Sequence, residues 1–451
     1  MSQAGAPPAT VDAGSATRQD QASSKGTPMR FQLIASVAVL VASLSVAGPG
    51  RADPSADQAK VARVLRATPL IDGHNDIAWE IRENFGGDPA KARLAEEAAA
   101  IGRTPPLDTD IPRLRRGGVG GQFWSVYAPT GGDEARAVAM TLEQMASVRE
   151  MVALHPDAFE MAFTAADVVR IHRAGRIASL MGIEGGHCID NSLAVLRTMY
   201  QAGARYMTLT HADNTAWADS ATDEPEHGGL TPFGEAVVRE MNRLGMLVDL
   251  SHVSADTMRD ALRVSRAPVI FSHSSAGGLS GVARNVPDDI LPLVKRNGGV
   301  VMVTFVGSYL SPEGKAWTAR RLAETAEAGR RHPADAGAAK AEVDAWGKAN
   351  PAPRATLAMA ADHIEHIRQV AGVDHVGLGG DFDGTSPLPV GLEDVSTYPA
   401  LLAELSRRGW SEGDLRKLAG ENVLRVMRQA EATSRRLAGE RPGHDAVTAA
   451  R

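Results

Sequence analysis

Short apolar runs recur along the chain, and each is followed by a segment with helical spacing of its apolar positions. The runs cover residues 70–79, 119–127, 177–184, 206–211, 246–252, 268–273, 299–305 and 375–381. Their length and the turn residues around them predict strands. The intervening segments 141–154, 165–174, 193–202, 233–244, 256–265, 288–297 and 359–371 predict helices. Three of these stop at Gly175, Gly203 and Gly245, which are helix-stop signals. A further helix is expected at 61–67, ahead of the first strand, and two closing helices at 398–409 and 412–430. Strands alternating with helices imply βα units and a parallel sheet. Eight such units predict an α/β fold, a (β/α)8 TIM-type barrel, with an open doubly wound sheet as the alternative. The Ala-, Glu-, Arg- and Lys-rich stretch 313–350 reads as a helical insertion after the seventh strand.

The polar residues that end these runs change the picture. The first run, L-I-D-G-H-N-D, ends in His74 and Asp76, two residues apart and so on one face of a strand. Later runs end in Glu184, His211, His252, His273 and Asp381. In a barrel all of these converge at the carboxyl ends of the strands, where active sites lie. So many imidazoles and carboxylates at one place are hard to explain as packing, because each would need a partner. Together they suit zinc. There are more candidates than one zinc needs, so two ions are expected, with a carboxylate such as Glu184 bridging them. A water bridging such a pair becomes hydroxide near neutral pH and can attack a carbonyl.

Composition adds bounds rather than chemistry. The 451 residues are 43% hydrophobic and 23% charged, with a net charge of -6 and no block of like charge that would suggest a nucleic-acid arm. A single cysteine, Cys188, excludes an internal disulfide. Residues 1–28 lack apolar periodicity and read as a disordered or mis-assigned leader, with Met29 as an alternative start. Arg30, the apolar run 31–50 and the small residue Ala52 read as a signal peptide over 29–52. The protein is therefore expected to be exported, periplasmic or secreted, with an uncleaved membrane tether as the alternative. Once the signal is cleaved no stable membrane insertion is expected, and the carboxyl end has no hydrophobic tail of the GPI kind. A single catalytic domain is expected over 53–430, with a flexible tail at 431–451.

Several local signals read as structure. Asp362, His363, Glu365 and His366 lack the H-E-x-x-H order and are assigned to a solvated helix face. Asp381-Phe382-Asp383-Gly384 lacks a calcium loop's third ligand before the glycine, and 377–380 lacks a dinucleotide fingerprint's third glycine. His187 reads as either a support for the site or an ordinary loop histidine. Cys188 reads as a buried small residue, and 420–422 as helix-start chemistry.

Seven motifs in order carry a resemblance. They are D-G-H-N-D at 72–76, G-I-E-G-G-H at 182–187, Y-M-T-L-T-H-A-D-N-T-A-W-A-D at 206–219, D-L-S-H-V-S at 249–254, P-V-I-F-S-H-S-S at 268–275, R-N-V-P-D-D at 284–289 and G-G-D-F-D-G at 379–384. From about residue 62 to 427 the chain resembles the membrane (renal) dipeptidase family of zinc metallopeptidases, in a bacterial-type form. The resemblance implies dipeptide hydrolysis with two zinc ions per chain, including dipeptides with a D-residue at the C-terminal position. It implies that His74 and Asp76 bind one ion, His252 and His273 the other, and that Glu184 bridges. His211 would contact the substrate carbonyl oxygen, Asp381 would move the proton from water to the leaving amine, and Arg284 would hold the dipeptide carboxylate. Tyr309 falls at a substrate-contacting position, although its flanking V-G-S differs from the family pattern. A structural alternative for Arg284 is a cap on the 285–289 segment through Asp288 or Asp289. The partner implied is a small dipeptide, with no nucleic acid, and a homodimer is an assembly the resemblance allows. Metazoan relatives use disulfides and a lipid anchor, which this chain does not match, and the 313–350 segment is variable in such families. The alternatives are a related amidohydrolase acting on N-acyl amino acids or cyclic amides, and a catalytically silent binding protein. The latter would be favoured by a lost ligand position, and none is lost.

Overall fold

Residues 54–102 and 106–443 are described by the computed structural model. The expected signal peptide and leader lie outside them. Nine strands form: β1 (Leu70–Asn75), β2 (Val119–Tyr127), β3 (Phe159–Met161), β4 (Ile177–Glu184), β5 (Ala204–Thr208), β6 (Leu247–Asp249), β7 (Ile270–Phe271), β8 (Val300–Val303) and β9 (Val376–Leu378). All pairings between them are parallel. Eight strands close a barrel in the order β1-β2-β4-β5-β6-β7-β8-β9, with β9 returning to β1. These eight are the eight apolar runs. β3 is an addition, pairing Phe159–Met161 with the first residues of β4. Three residues, F-E-M, are too short a run to stand out between two helices.

The strands read as continuous apolar runs because both of their faces are covered, one by the barrel interior and one by helices. β1 and β4 are buried at every residue. Helix boundaries follow local chemistry. Thr164 and Asp167 form a capping box at the start of Ala165–Arg173. Thr231 and Ser254 cap Pro232–Leu244 and Ala255–Val264 with their side chains. Among the described residues no helix is long and apolar enough to cross a membrane.

The insertion is a hairpin of two helices, Pro312–Arg331 and Ala336–Ala349. The rings of Trp317 and Trp346 lie 5.9 Å apart between them, and Trp317 Nε1 donates to the Asn350 carbonyl at 2.7 Å. Most of its other side chains are exposed.

Three sequence expectations need correction. The segment 420–422 does not start a helix: Glu412–Arg416 runs through a π-helical turn, Lys417–Glu421, into Asn422–Leu437. Gly420 lies inside that path because a Cβ there would strike the Pro69 carbonyl. The tail does not begin at 431, since this last helix continues to Leu437 and buries Thr433 and Leu437. His363 is not solvated. It is buried, with Nδ1 accepting from the Ala276 amide at 3.0 Å and Nε2 donating to the Leu310 carbonyl at 3.2 Å.

Candidate metal centre and active site

Residues at the carboxyl ends of six strands meet at one mouth of the barrel. His74 belongs to β1, and Asp76 is the residue before the helix Ile77–Phe85. Glu184 ends β4. His211, His252, His273 and Asp381 follow β5, β6, β7 and β9 within a few residues. His252 (φ 71°) and Asp381 (φ 60°) take left-handed backbone conformations, each costing about 1 kcal/mol or more. Such strain at both positions is what a site that must aim its side chains shows.

Glu184 is the centre of the cluster. Its Oε2 lies 3.4 Å from His74 Nε2, which is itself 3.3 Å from Asp76 Oδ2. Its Oε1 lies 3.1 Å from His252 Nε2, 3.5 Å from His273 Nε2 and 3.6 Å from His211 Nε2. The two oxygens of one carboxylate therefore face two different donor sets. Ligand atoms within 4.8 Å of one another define three groups: His74, Glu184 and His273; Glu184, His211 and His252; and His74, Asp76 and Asp381. Every candidate ligand expected from the sequence is brought together. His211 also sits among the candidate ligands rather than clearly apart from them.

The electrostatics fit a cation. Burial opposes a charge on His74, yet Tyr206, Asp76 and Glu184 outweigh it and hold its pKa well above the usual value. Burial, together with Asp76 and Glu184 and against His74, holds the Asp381 carboxyl well above its usual range. The neighbouring carboxylates favour the proton on His74, and on Asp381 burial does so first, with Asp76 and Glu184 adding to it; a cation at the cluster would oppose both shifts. His252 and His273 are held neutral: burial lowers both, aided by Arg284. Neutral imidazole is the metal-binding form.

The residues behind the cluster set which ring nitrogen is free. Tyr206 donates to the Gly73 carbonyl at 3.2 Å, so it accepts at 2.9 Å from His74 Nδ1. His74 Nε2 is therefore the nitrogen that faces the cluster, buried without a hydrogen-bond partner, and it becomes a ligand when a cation takes the place of its proton. Gly182 makes room for Tyr206, because a Cβ there would overlap its ring. His273 Nδ1 donates to Ser272 Oγ at 2.8 Å, and Ser272 donates to Asp249 at 2.5 Å. Asp249 also accepts from Thr208, at 2.8 Å, and from the Ser251 and Ser272 amides. Ser125 donates to Glu184 Oε2 at 3.0 Å. Asp72 accepts from the amides of His74 and Gly380, tying β1 to the turn after β9. The sequence reading missed these supports. Asp72 and Asp249 were visible as charges inside apolar runs, which is the signal that finds them. Removing the Tyr206 hydroxyl should lower metal affinity by about 10- to 100-fold. Chelator competition on Tyr206→Phe measures this, and an unchanged affinity would mean that Tyr206 only packs.

Beside the cluster, Arg284 is 1% exposed. Its Nη1 donates to Ser274 Oγ at 2.6 Å, but Nε and Nη2 are buried without partners. Its guanidinium lies 5.8 Å from the Tyr309 ring. The capping alternative is overturned: Asp288 pairs with His366 at 2.8 Å and Asp289 with Arg259 at 2.7 Å. An unpaired buried cation is costly, so these nitrogens are suited to an anion arriving from the cleft. That cleft measures about 760 Å³ and is walled by Trp79, Tyr127, Asp213, Tyr309, Thr318 and Leu322 around the cluster. Thr318 and Leu322 come from the insertion, which the sequence reading did not place near the site.

His187 is buried, and its Nε2 donates to the Ala128 carbonyl at 2.9 Å, which makes it a loop-fixing residue. Cys188 is buried as expected, and burial pushes its thiol up to about 12. It has no nucleophilic character at neutral pH.

A (β/α)8 barrel with carboxylates and imidazoles gathered at the strand ends is an arrangement suited to metal-dependent hydrolysis. A family model for membrane dipeptidases, peptidase family M19, matches residues 58–441, and the chain belongs to that family. Among solved structures, the "probable dipeptidase PvdM" from Pseudomonas aeruginosa is 24% identical, with a TM-score of 0.72 over 84% of this chain and 100% of that one. A metallopeptidase from Rhodobacter sphaeroides, bound to a phosphinate mimic of L-Ala-D-Ala, is 24% identical (TM-score 0.66, 80% and 99% covered). A further M19 metallopeptidase, dipeptidase AC, is 25% identical (TM-score 0.66, 80% and 98% covered).

Proposed function

We propose that the protein hydrolyses dipeptides with two zinc ions, one held by His74, Asp76 and Glu184 and the other by Glu184, His252 and His273. The observation that carries this reading is Glu184, whose two oxygens face separate donor sets. Zinc supplies Lewis acidity and lowers the pKa of water at the site. The remaining work falls to the protein. Arg284 holds the substrate carboxylate with its two unpartnered nitrogens. His211, whose Nε2 lies beside Glu184, contacts the carbonyl oxygen as negative charge develops on it. Asp381 takes a proton from the attacking water and delivers it to the leaving amine. Asp76 or Asp381 attracts the free amino group. A substrate must then carry both charges at dipeptide spacing, and a tripeptide puts one of them in the wrong place.

Arg284 reads a carboxylate and not the configuration of the carbon bearing it. Dipeptides with a D-residue at the C-terminal position are therefore included in the proposal. Protein purified without chelator should contain about two zinc ions per chain and hydrolyse L,L- and L,D-dipeptides, with activity lost on chelation. A fully active metal-free preparation would overturn the zinc reading, and a preference for N-acyl amino acids over dipeptides would favour the related amidohydrolase activity.

A further inference from the structure

The helical hairpin walls a second cavity, of about 340 Å³, next to the metal cleft. Trp317, Arg321, Leu322 and Thr325 form one side of it. The other side is made by two segments, 306–308 and 385–387. Val306, Thr318, Leu322 and Thr385 border both this cavity and the cleft, so the two are neighbours across a shared wall.

The two segments lead back to the groups that act on the substrate's C-terminal residue. Segment 306–308 runs into Tyr309, against which Arg284 lies. Segment 385–387 follows Asp381 by a few residues. With the carboxylate on Arg284 and the leaving amine at Asp381, the C-terminal residue is held between the roots of these segments. Its side chain then faces the cavity between them. With the free amino group drawn to Asp76, the residue carrying it would lie toward Trp79 and Tyr127, which line the cleft but not the second cavity.

The wall of the cavity is mixed: Val306, Trp317, Leu322 and Pro387 give it apolar surface among Ser308, Thr318, Thr325 and Arg321. Trp317 is fixed by its bond to the Asn350 carbonyl, its contact with Trp346 and the Arg321 guanidinium 5.8 Å from its ring, and it lines the cavity from that fixed position. Leu322 is 66% exposed, whereas no other exposed large apolar side chain among the described residues exceeds 47%. A leucine this bare at the lip of a cleft gains by covering something apolar. We infer that the cavity is the subsite for the side chain of the C-terminal residue, and that it selects dipeptides ending in a large apolar or aromatic residue. This rests on the dipeptidase reading above.

The test compares kcat/KM for Ala-Phe with Ala-Gly, and for Phe-Ala with Gly-Ala, in the zinc-loaded wild type and in two variants. Thr325→Trp fills the cavity, and Leu322→Asp makes its lip polar. In the wild type Ala-Phe should exceed Ala-Gly by about 10-fold or more, and each variant should cut that ratio by about 10-fold while moving the Phe-Ala to Gly-Ala ratio by less than about twofold. Far-ultraviolet circular dichroism verifies that the hairpin stays helical in each variant. Equal wild-type rates for Ala-Phe and Ala-Gly, a preference for Ala-Glu directed by Arg321, or a loss that falls on Phe-Ala instead would each overturn the inference. Calorimetric titration with free L-phenylalanine and glycine separates this outcome from a failure of the dipeptidase reading. If no dipeptide is cleaved but phenylalanine binds more tightly than glycine, and Thr325→Trp removes the difference, the reaction is wrong and the subsite stands. Equal binding of the two amino acids overturns the subsite.

Discussion

Replacing Arg284 by Ala should lower kcat/KM for a dipeptide by about 10²-fold or more and leave the metal content unchanged. A loss of 10²-fold corresponds to about 2.7 kcal/mol. That lies within the range of about 1.5–3 kcal/mol for hydrogen bonds to a charged group. Lost orientation of the scissile bond adds to it. The expectation follows from a guanidinium that is buried, bonded once to Ser274 and otherwise unpartnered. Truncation also leaves a hole and frees the Ser274 hydroxyl, so activity loss alone does not identify a clamp. The informative comparison is with a dipeptide amide, which has no carboxylate to lose. The acid should suffer far more than the amide. Equal losses on both substrates would show that Arg284 supports the barrel mouth without reading the substrate.

Glu184→Gln should be more severe. The substitution keeps the shape of the side chain and its contact with Ser125, so the fold should survive. It removes the negative charge that both donor sets share. Metal content should fall to about one ion per chain or fewer, and kcat by about 10³-fold or more, equivalent to about 4 kcal/mol of lost metal activation. Elemental analysis and turnover measured on the same preparation test both expectations. A variant that retained two ions and most of its activity would show that the bridging role belongs to another group.

The fold and the cluster were legible in the sequence for one shared reason. A strand covered on both faces must be apolar throughout, so a polar residue at its carboxyl end stands out, and His74, Glu184, His211, His252, His273 and Asp381 all do so. What stayed hidden depends on contacts made far along the chain. β3 owes its existence to its pairing with β4 and not to its three residues. His363 lies on a helix rich in charge but is turned inward by the Ala276 amide and the Leu310 carbonyl. Tyr206 looks like an ordinary strand residue until it is seen against His74 Nδ1. Thr318 and Leu322 sit in a polar helix whose position over the cleft is fixed by tertiary packing rather than by periodicity.

The barrel wall is not equally knitted around its circumference. β2 and β4 pair continuously from Gly121↔Ala178 to Tyr127↔Glu184, whereas β6 and β7 share the single register pair Asp249↔Ile270 and β7 meets β8 only at Ile270↔Val300 and Phe271↔Val301. His252 and His273 follow these two lightly paired strands, while Glu184 ends one of the best-paired. An ion held by the three would act as a rivet, fastening the looser arc of the wall to the firmer one. Ligation that occurs only in the native state adds its binding free energy to folding. Amide exchange at 247–249 and 270–271 should therefore quicken on chelation well before exchange at 121–127. If both regions quickened together, the backbone ladder alone would be holding the wall. For this molecule the inventory of metal would then set the mechanical integrity of one arc of the barrel as well as its turnover.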